Sequence, residues 1–94
     1  MASSDCFASV VAPLYNDADI VRAFVTDVIA VLKANYENYE VVLVDDGSTD
    51  STASLVSAML AEERCLRLIR LSRRFGRDIA ISAGLDSVIG DFVV

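Results

Sequence analysis

Two adjacent carboxylates, Asp45 and Asp46, end the β-branched run Tyr39 to Val44 and are followed at once by Gly47 and Ser48. An acidic pair on such a turn can accept hydrogen bonds from a nucleobase N–H or a ribose hydroxyl, ligate a cation, or cap a helix. A glycine beside it admits close approach of a ligand to the backbone. Pro13, Tyr15, Asn16 and Asp17 close an earlier apolar run and add an aromatic ring and a further carboxylate. Ser72, Arg73, Arg74, Phe75, Gly76 and Arg77 follow a third run with cations able to cradle a diphosphate or an anionic lipid head group. A ring, acceptors and cations together suit a nucleotide; spacing alone leaves nucleotide binding, metal ligation and structural capping all open.

Other chemistry is excluded by inventory. The 94 residues include no His and only Cys6 and Cys65 as soft ligands, so zinc sites of the Cys/His type and triads with a His base cannot be built. The two cysteines, far apart and with no secretory leader ahead of them, read as reduced, buried thiols in a cytoplasmic setting. No apolar run reaches the roughly 18 residues that a spanning helix needs. The net charge is −6, with nine acids against Arg22 and Lys33 in residues 1–60, and five acids against six arginines in 61–94. General affinity for nucleic acid is not expected from that balance.

The elements that must position these groups follow from hydrophobic pattern. Residues 6–12 are continuously apolar and end at Pro13, which predicts a buried strand and then a turn. Asn16, with Asp17 and Asp19 after it, is a capping signal for an amphipathic helix over 17–34 with apolar positions 20, 21, 24, 25, 28, 29 and 32. Tyr39 to Val44 is a second buried strand. Ser48, Thr49 and Asp50 offer caps for a second helix ending near Glu63 and Arg64. Residues 66–71 alternate Leu-Arg-Leu-Ile-Arg-Leu, the mark of a strand with one wet side or edge, where Arg64, Arg67 and Arg70 would be solvated charges that blunt the edge. A third helix is expected over 77–89, with its apolar face at 79, 80, 83, 85, 88 and 89, followed by a strand from Asp91. Tyr36 and Tyr39 are expected to cover the opposite end of the sheet from the site, and Phe24 and Phe75 to be core.

The order β-α-β-α-β-α-β predicts an α/β fold with a Rossmann-like parallel sheet and helices on both faces. Ligands of such sheets collect at the carboxyl ends of the strands, which is where all three residue groups fall. The chain ends inside an apolar strand with nothing following to cover that flank. Residues 1–94 are therefore expected to be the N-terminal part of a longer domain, with self-association of the open flank a consequence.

Three stretches resemble the family 2 glycosyltransferases: Val11 to Asp17, Tyr39 to Asp50, and Leu71 to Gly76 together with Ala83-Gly84-Leu85-Asp86 and Gly90-Asp91. Within that family the sequence is most similar to the branch of dolichol-phosphate mannose synthase and bactoprenol glucosyltransferases. The resemblance implies the nucleotide-binding half of a GT-A fold, a UDP- or GDP-linked sugar as donor, inversion at the anomeric carbon, and a polyprenyl phosphate or another glycan as acceptor. It also implies a divalent metal, Mg or Mn, held by acids beyond Val94, and catalytic residues beyond Val94 as well. Carried over by position, Pro13 and Tyr15 would flank the base, Asp17 would stand where the family commonly has Glu, Asp46 would accept from the base, and Asp45 and Gly47 would support that pocket. Arg73, Arg74 and Arg77, by their place at the ligand-bearing end, are candidates for phosphate contact, with solvated charges as the alternative. Gly84, expected to allow close packing on the sheet, and Asp86 are further candidates for substrate contact.

The sequence departs from the family pattern at Arg74, where Asn is usual, at Arg77, where Lys or His is usual, and at Asp78, where Glu is usual. The intact protein would work at the cytoplasmic face of a membrane. A non-catalytic Rossmann-like binding module is the alternative, with a receiver-type signalling domain as a variant. Neither the dinucleotide glycine fingerprint nor a P-loop occurs.

Overall fold

The computed structural model describes residues 7–86 and 92–93. Strand β1 (Phe7–Leu14) is followed by helix α1 (Val21–Asn35), β2 (Asn38–Asp45), α2 (Thr52–Leu60), β3 (Leu66–Arg70), α3 (Arg77–Leu85) and the short β4 (Phe92–Val93). All pairings are parallel, and the order across the sheet is β3-β2-β1-β4. The chain steps outward from β1 to β3 and then returns to the other side of β1, so strand order reverses between β1 and β4. That order removes the receiver-type reading, whose flavodoxin-like sheet places the first strand between the second and third.

Successive strand residues point to opposite faces, and each face has its own helices. Ala8, Val41, Leu43 and Leu66 pack with Val21, Val25, Ile29 and Leu32 of α1 and with Val56 and Met59 of α2. Val42 and Val44 pack with Ala80 of α3, joined by the half-buried Val11 and Ala83. Helices thus cover both faces, as the continuous apolar character of β2 requires, since residues 40–45 of that strand are all buried. Gly84 allows α3 to seat closely, for a Cβ there would lie 2.4 Å from Val11 Cγ1 and 3.0 Å from Val44 Cγ2.

Several expectations are corrected. Pro13 does not end the first strand, which runs on through Leu14. The Asp46 N–H donates to the Leu14 carbonyl at 2.8 Å, so Leu14 directs its polar groups to β2 and Pro13, one residue earlier, faces its missing donor the other way. Helix α1 starts at Val21 rather than 17, and residues 18–20 form a turn closed on the Asp17 carbonyl, which accepts from the N–H groups of Ile20 and Val21. Phe24 is 37% exposed rather than core, and Ile20 is also exposed; the buried stripe of α1 is 21, 25, 29 and 32. On α3, Ile79 and Leu85 are exposed and the buried positions are Ala80 and Gly84. The expected positions 88 and 89 lie outside the described residues, as does Cys6, while Cys65 is a half-buried free thiol whose pKa burial pushes up. Tyr36 and Tyr39 pack on the core at the amino end of β2, away from the strand ends that carry the acids.

Among the described strands β3 is an edge, but Arg67 and Arg70 do more than face water. Glu40, only 3% exposed within β2, accepts from Ser9 Oγ at 2.6 Å and from Arg67 Nη1 at 2.8 Å. A carboxylate taken out of water is held by a partner from each neighbouring strand, which keeps its charge compensated.

Candidate functional site

The carboxyl ends of β1, β2 and β3 open into a cavity of about 200 Å³ lined by Pro13, Leu14, Tyr15, Asp17, Asp46, Arg74 and Arg77. Five of its polar or aromatic lining groups come from segments that follow different strands, and hydrogen bonds between those segments hold the cavity in shape. The β1–α1 loop is tied to the β2–α2 loop through Asn16, which adopts φ +52. Its N–H donates to Ser48 Oγ at 2.9 Å, and its Oδ1 accepts from the N–H groups of Thr49 at 2.8 Å and Asp50 at 3.3 Å. Asn16 therefore caps the second loop and not α1. The Asp17 N–H donates to Thr52 Oγ1 at 2.9 Å, and Asp17 Oδ2 accepts from the Tyr15 N–H at 2.9 Å, which fixes the ring-bearing residue.

Asp50 completes this junction. Its Oδ1 accepts from the N–H of Thr52 at 2.9 Å and from the Thr52 hydroxyl, and its Oδ2 accepts from the Ala18 N–H at 3.3 Å. The Thr52 side-chain bond first, and then the backbone bonds, hold the Asp50 pKa below the ordinary aspartate value.

The two neighbouring acids have different surroundings. Asp45 is buried and turned from the cavity: its Oδ1 accepts from the Ser48 N–H at 3.2 Å, and its Oδ2 lies 3.9 Å from Arg70 Nε. Asp46, 3% exposed, reaches across to the loop after β3, where Oδ1 accepts from the Phe75 N–H at 2.8 Å and Oδ2 from the Gly76 N–H at 3.1 Å. A carboxylate offers about four lone-pair positions, so Asp46 keeps acceptor capacity on the cavity side after both bonds. Gly47, at φ +73, lies directly under the same loop; a Cβ there would stand 2.5 Å from Arg73 C and from Arg74 N. Asp46 and Gly47 thus clamp the segment that carries the arginines.

The fold brings Pro13, Tyr15, Asp17, Asp46, Arg74 and Arg77 to one cavity; Asp45 and Gly47 support it from outside the lining. Arg73 turns away, its guanidinium 4.1 Å from the centroid of the Phe75 ring, so Phe75 is a partly covered loop residue and not core. Arg74 stacks on Tyr15, 4.0 Å from that ring's centroid. Sequence reasoning missed Leu14 in the lining and the roles of Phe75 and Gly76, whose contribution is a backbone N–H; the glycine itself was the only visible signal. Two carboxylates and two guanidiniums on one polar cavity provide acceptors for a base or ribose and donors for phosphate oxygens.

Among the described residues, no three His, Cys, Asp or Glu side chains converge as metal ligands. Asp45 turns to the Ser48 N–H and Arg70 while Asp46 turns to the loop after β3, so the adjacent acids do not converge on one cation. No described helix is long and apolar enough to cross a membrane.

A parallel sheet with its cavity at the strand ends beside a reversal of order is the nucleotide-binding architecture of α/β proteins. Residues 9–94 match the family described as Glycosyl transferase family 2, and the chain belongs to that family. It is 37% identical over 87 residues to an undecaprenyl-phosphate 4-deoxy-4-formamido-L-arabinose transferase of Serratia proteamaculans, covering 92% of this chain and 27% of that protein. Similar to it as well, at 35% over 86 residues and with the same two coverages, is an uncharacterized glycosyltransferase of Synechocystis. The chain thus spans about a quarter of the length of these relatives. Its fold matches that of the mannosyltransferase PcManGT from Pyrobaculum calidifontis, solved with GDP-Man and Mn2+, with TM-score 0.85, 25% identity, and coverage of 99% of this chain and 28% of that one. It also matches S. aureus TarS 1-349 in complex with UDP, with TM-score 0.79, 27% identity, and coverage of 93% and 25%. The sheet and helices are those of the GT-A glycosyltransferases.

Proposed function

We propose that these residues are the donor-nucleotide portion of a glycosyltransferase that moves a sugar, with inversion, from a nucleoside diphosphate sugar to a polyprenyl phosphate. The observation that carries this reading is the cavity itself, in which Tyr15, Asp17, Asp46, Arg74 and Arg77 converge at the ends of parallel strands. Family membership supports sugar transfer, the relatives named for undecaprenyl phosphate support the acceptor, and neighbours solved with GDP-Man and UDP support the donor. In this reading Pro13 and Tyr15 flank the base, Asp46 and Asp17 accept from its N–H or the ribose hydroxyls, and Arg74 and Arg77 donate to the diphosphate. A phosphate oxyanion is already nucleophilic, so the work of the site is to place donor and acceptor in line and to stabilise the departing diphosphate. A divalent cation, when bound, would offset charge on that leaving group, with ligands supplied from outside the described residues. The site would act at the cytoplasmic face of a membrane.

Titration of the full-length protein with UDP and GDP, followed by NMR or calorimetry, tests the donor reading. Saturable binding of one of them is expected, weakened at least about ten-fold by Asp46→Ala, which removes a charged acceptor. A folded protein that binds neither nucleotide would overturn it.

A further inference from the structure

The ring that would receive a base is already covered. The Arg74 guanidinium lies 4.0 Å from the Tyr15 centroid, within the range at which a cation is held on an aromatic face. Its side chain is exposed, whereas its backbone is fixed: Gly47 sits beneath the Arg73–Arg74 peptide, and Asp46 accepts from the next two N–H groups, those of Phe75 and Gly76. The neighbouring Arg73 is engaged on Phe75 and does not line the cavity. Arg74 is therefore an exposed cation on a rigid mount, between an aromatic platform and a space that also holds Arg77.

We propose that Arg74 is a displaceable cover that makes the site select for phosphorylated nucleosides. Resting on the nucleotide reading above, the inference is that a base stacks on Tyr15 by taking the place of the guanidinium, which rotates about its fixed backbone to the diphosphate. A bare nucleoside must displace Arg74 and gives it nothing in return. A nucleoside diphosphate replaces the lost cation–ring contact with charge-assisted hydrogen bonds. The loop need not move, so Arg74 sets specificity through its side chain alone.

The test is to measure Kd for uridine, guanosine, UDP and GDP with the full-length protein and with Arg74→Ala. An exposed cation–ring contact corresponds to about a two- to five-fold change in an equilibrium constant. The alanine variant is therefore expected to bind the matching nucleoside about two- to five-fold more tightly and the diphosphate more weakly. In the wild type, the upfield ring-current shift of the Arg74 side-chain protons should disappear as UDP or GDP saturates the site. A nucleoside Kd that is unchanged or weaker in the variant, or ring-current shifts that persist at saturation, would overturn the cover while leaving the nucleotide site intact. A wild type that binds none of the four ligands would overturn the nucleotide reading and the cover with it.

Discussion

Replacement of Gly47 by alanine probes the contact on which the site's shape depends. The residue has φ +73, a conformation that costs an L-residue about 1–2 kcal/mol. The added methyl would also meet Arg73 C and Arg74 N at 2.5 Å, against about 3.5–4.0 Å for a comfortable carbon contact. Both atoms are backbone, so relief requires the β3–α3 loop to withdraw by about 1 Å. Withdrawal stretches the bonds from Phe75 and Gly76 to Asp46, now 2.8 and 3.1 Å, each a bond to a charged group that contributes about 1.5–3 kcal/mol when buried. Water regained by Asp46 offsets part of that loss. Conformational strain with one weakened bond gives a destabilisation of about 2–5 kcal/mol. The same withdrawal displaces Arg74 and Arg77 from the cavity, so nucleotide affinity should fall at least about ten-fold. Urea unfolding and calorimetric titration with UDP or GDP read the two effects. Gly76→Ala is the control, since Gly76 has φ +106 but no atom within 4 Å of its would-be Cβ. It should show conformational strain without the clash. A Gly47→Ala protein that keeps its urea midpoint and binds nucleotide within two-fold of wild type would refute the clamp.

Two further outcomes are expected. Gly84→Ala should destabilise by about 1–3 kcal/mol through overpacking on Val11 and Val44, despite alanine's better helix propensity, and Val11→Ala in the same chain should restore part of the loss in a denaturant melt. For Asp50, the folded pKa lies below the unfolded value, so its contribution is present above the unfolded pKa and is lost as pH falls through the folded one. Stability measured from pH 6 downward should therefore decline less steeply below about pH 4 in Asp50→Asn than in wild type, and parallel curves would contradict that assignment.

The sequence alone determined the layering of the molecule. An unbroken apolar run such as Val41 to Val44 can be satisfied only by burial on both faces, and an acidic pair with glycine after it marks where such a strand must stop. Parallel strands joined by helices then bring the loops after β1, β2 and β3 to one end, so the neighbourhood of the site was legible from order and spacing. Individual partnerships were not. Asp46 is anchored by backbone N–H groups 29 and 30 residues away, and a backbone donor leaves no trace in residue type. Asn16 carries a helix-capping signature, yet its positive φ turns the side chain onto Thr49 and Asp50, donors that only the parallel register of β1 and β2 places within reach. Arg67 reads as a solvated edge charge until the sheet buries Glu40 beside Ser9 and lays the Arg67 side chain across it. Arg74 belongs to a basic run whose target spacing could not choose; tertiary structure places it on Tyr15, because the loop that carries it is clamped by Asp46 over Gly47.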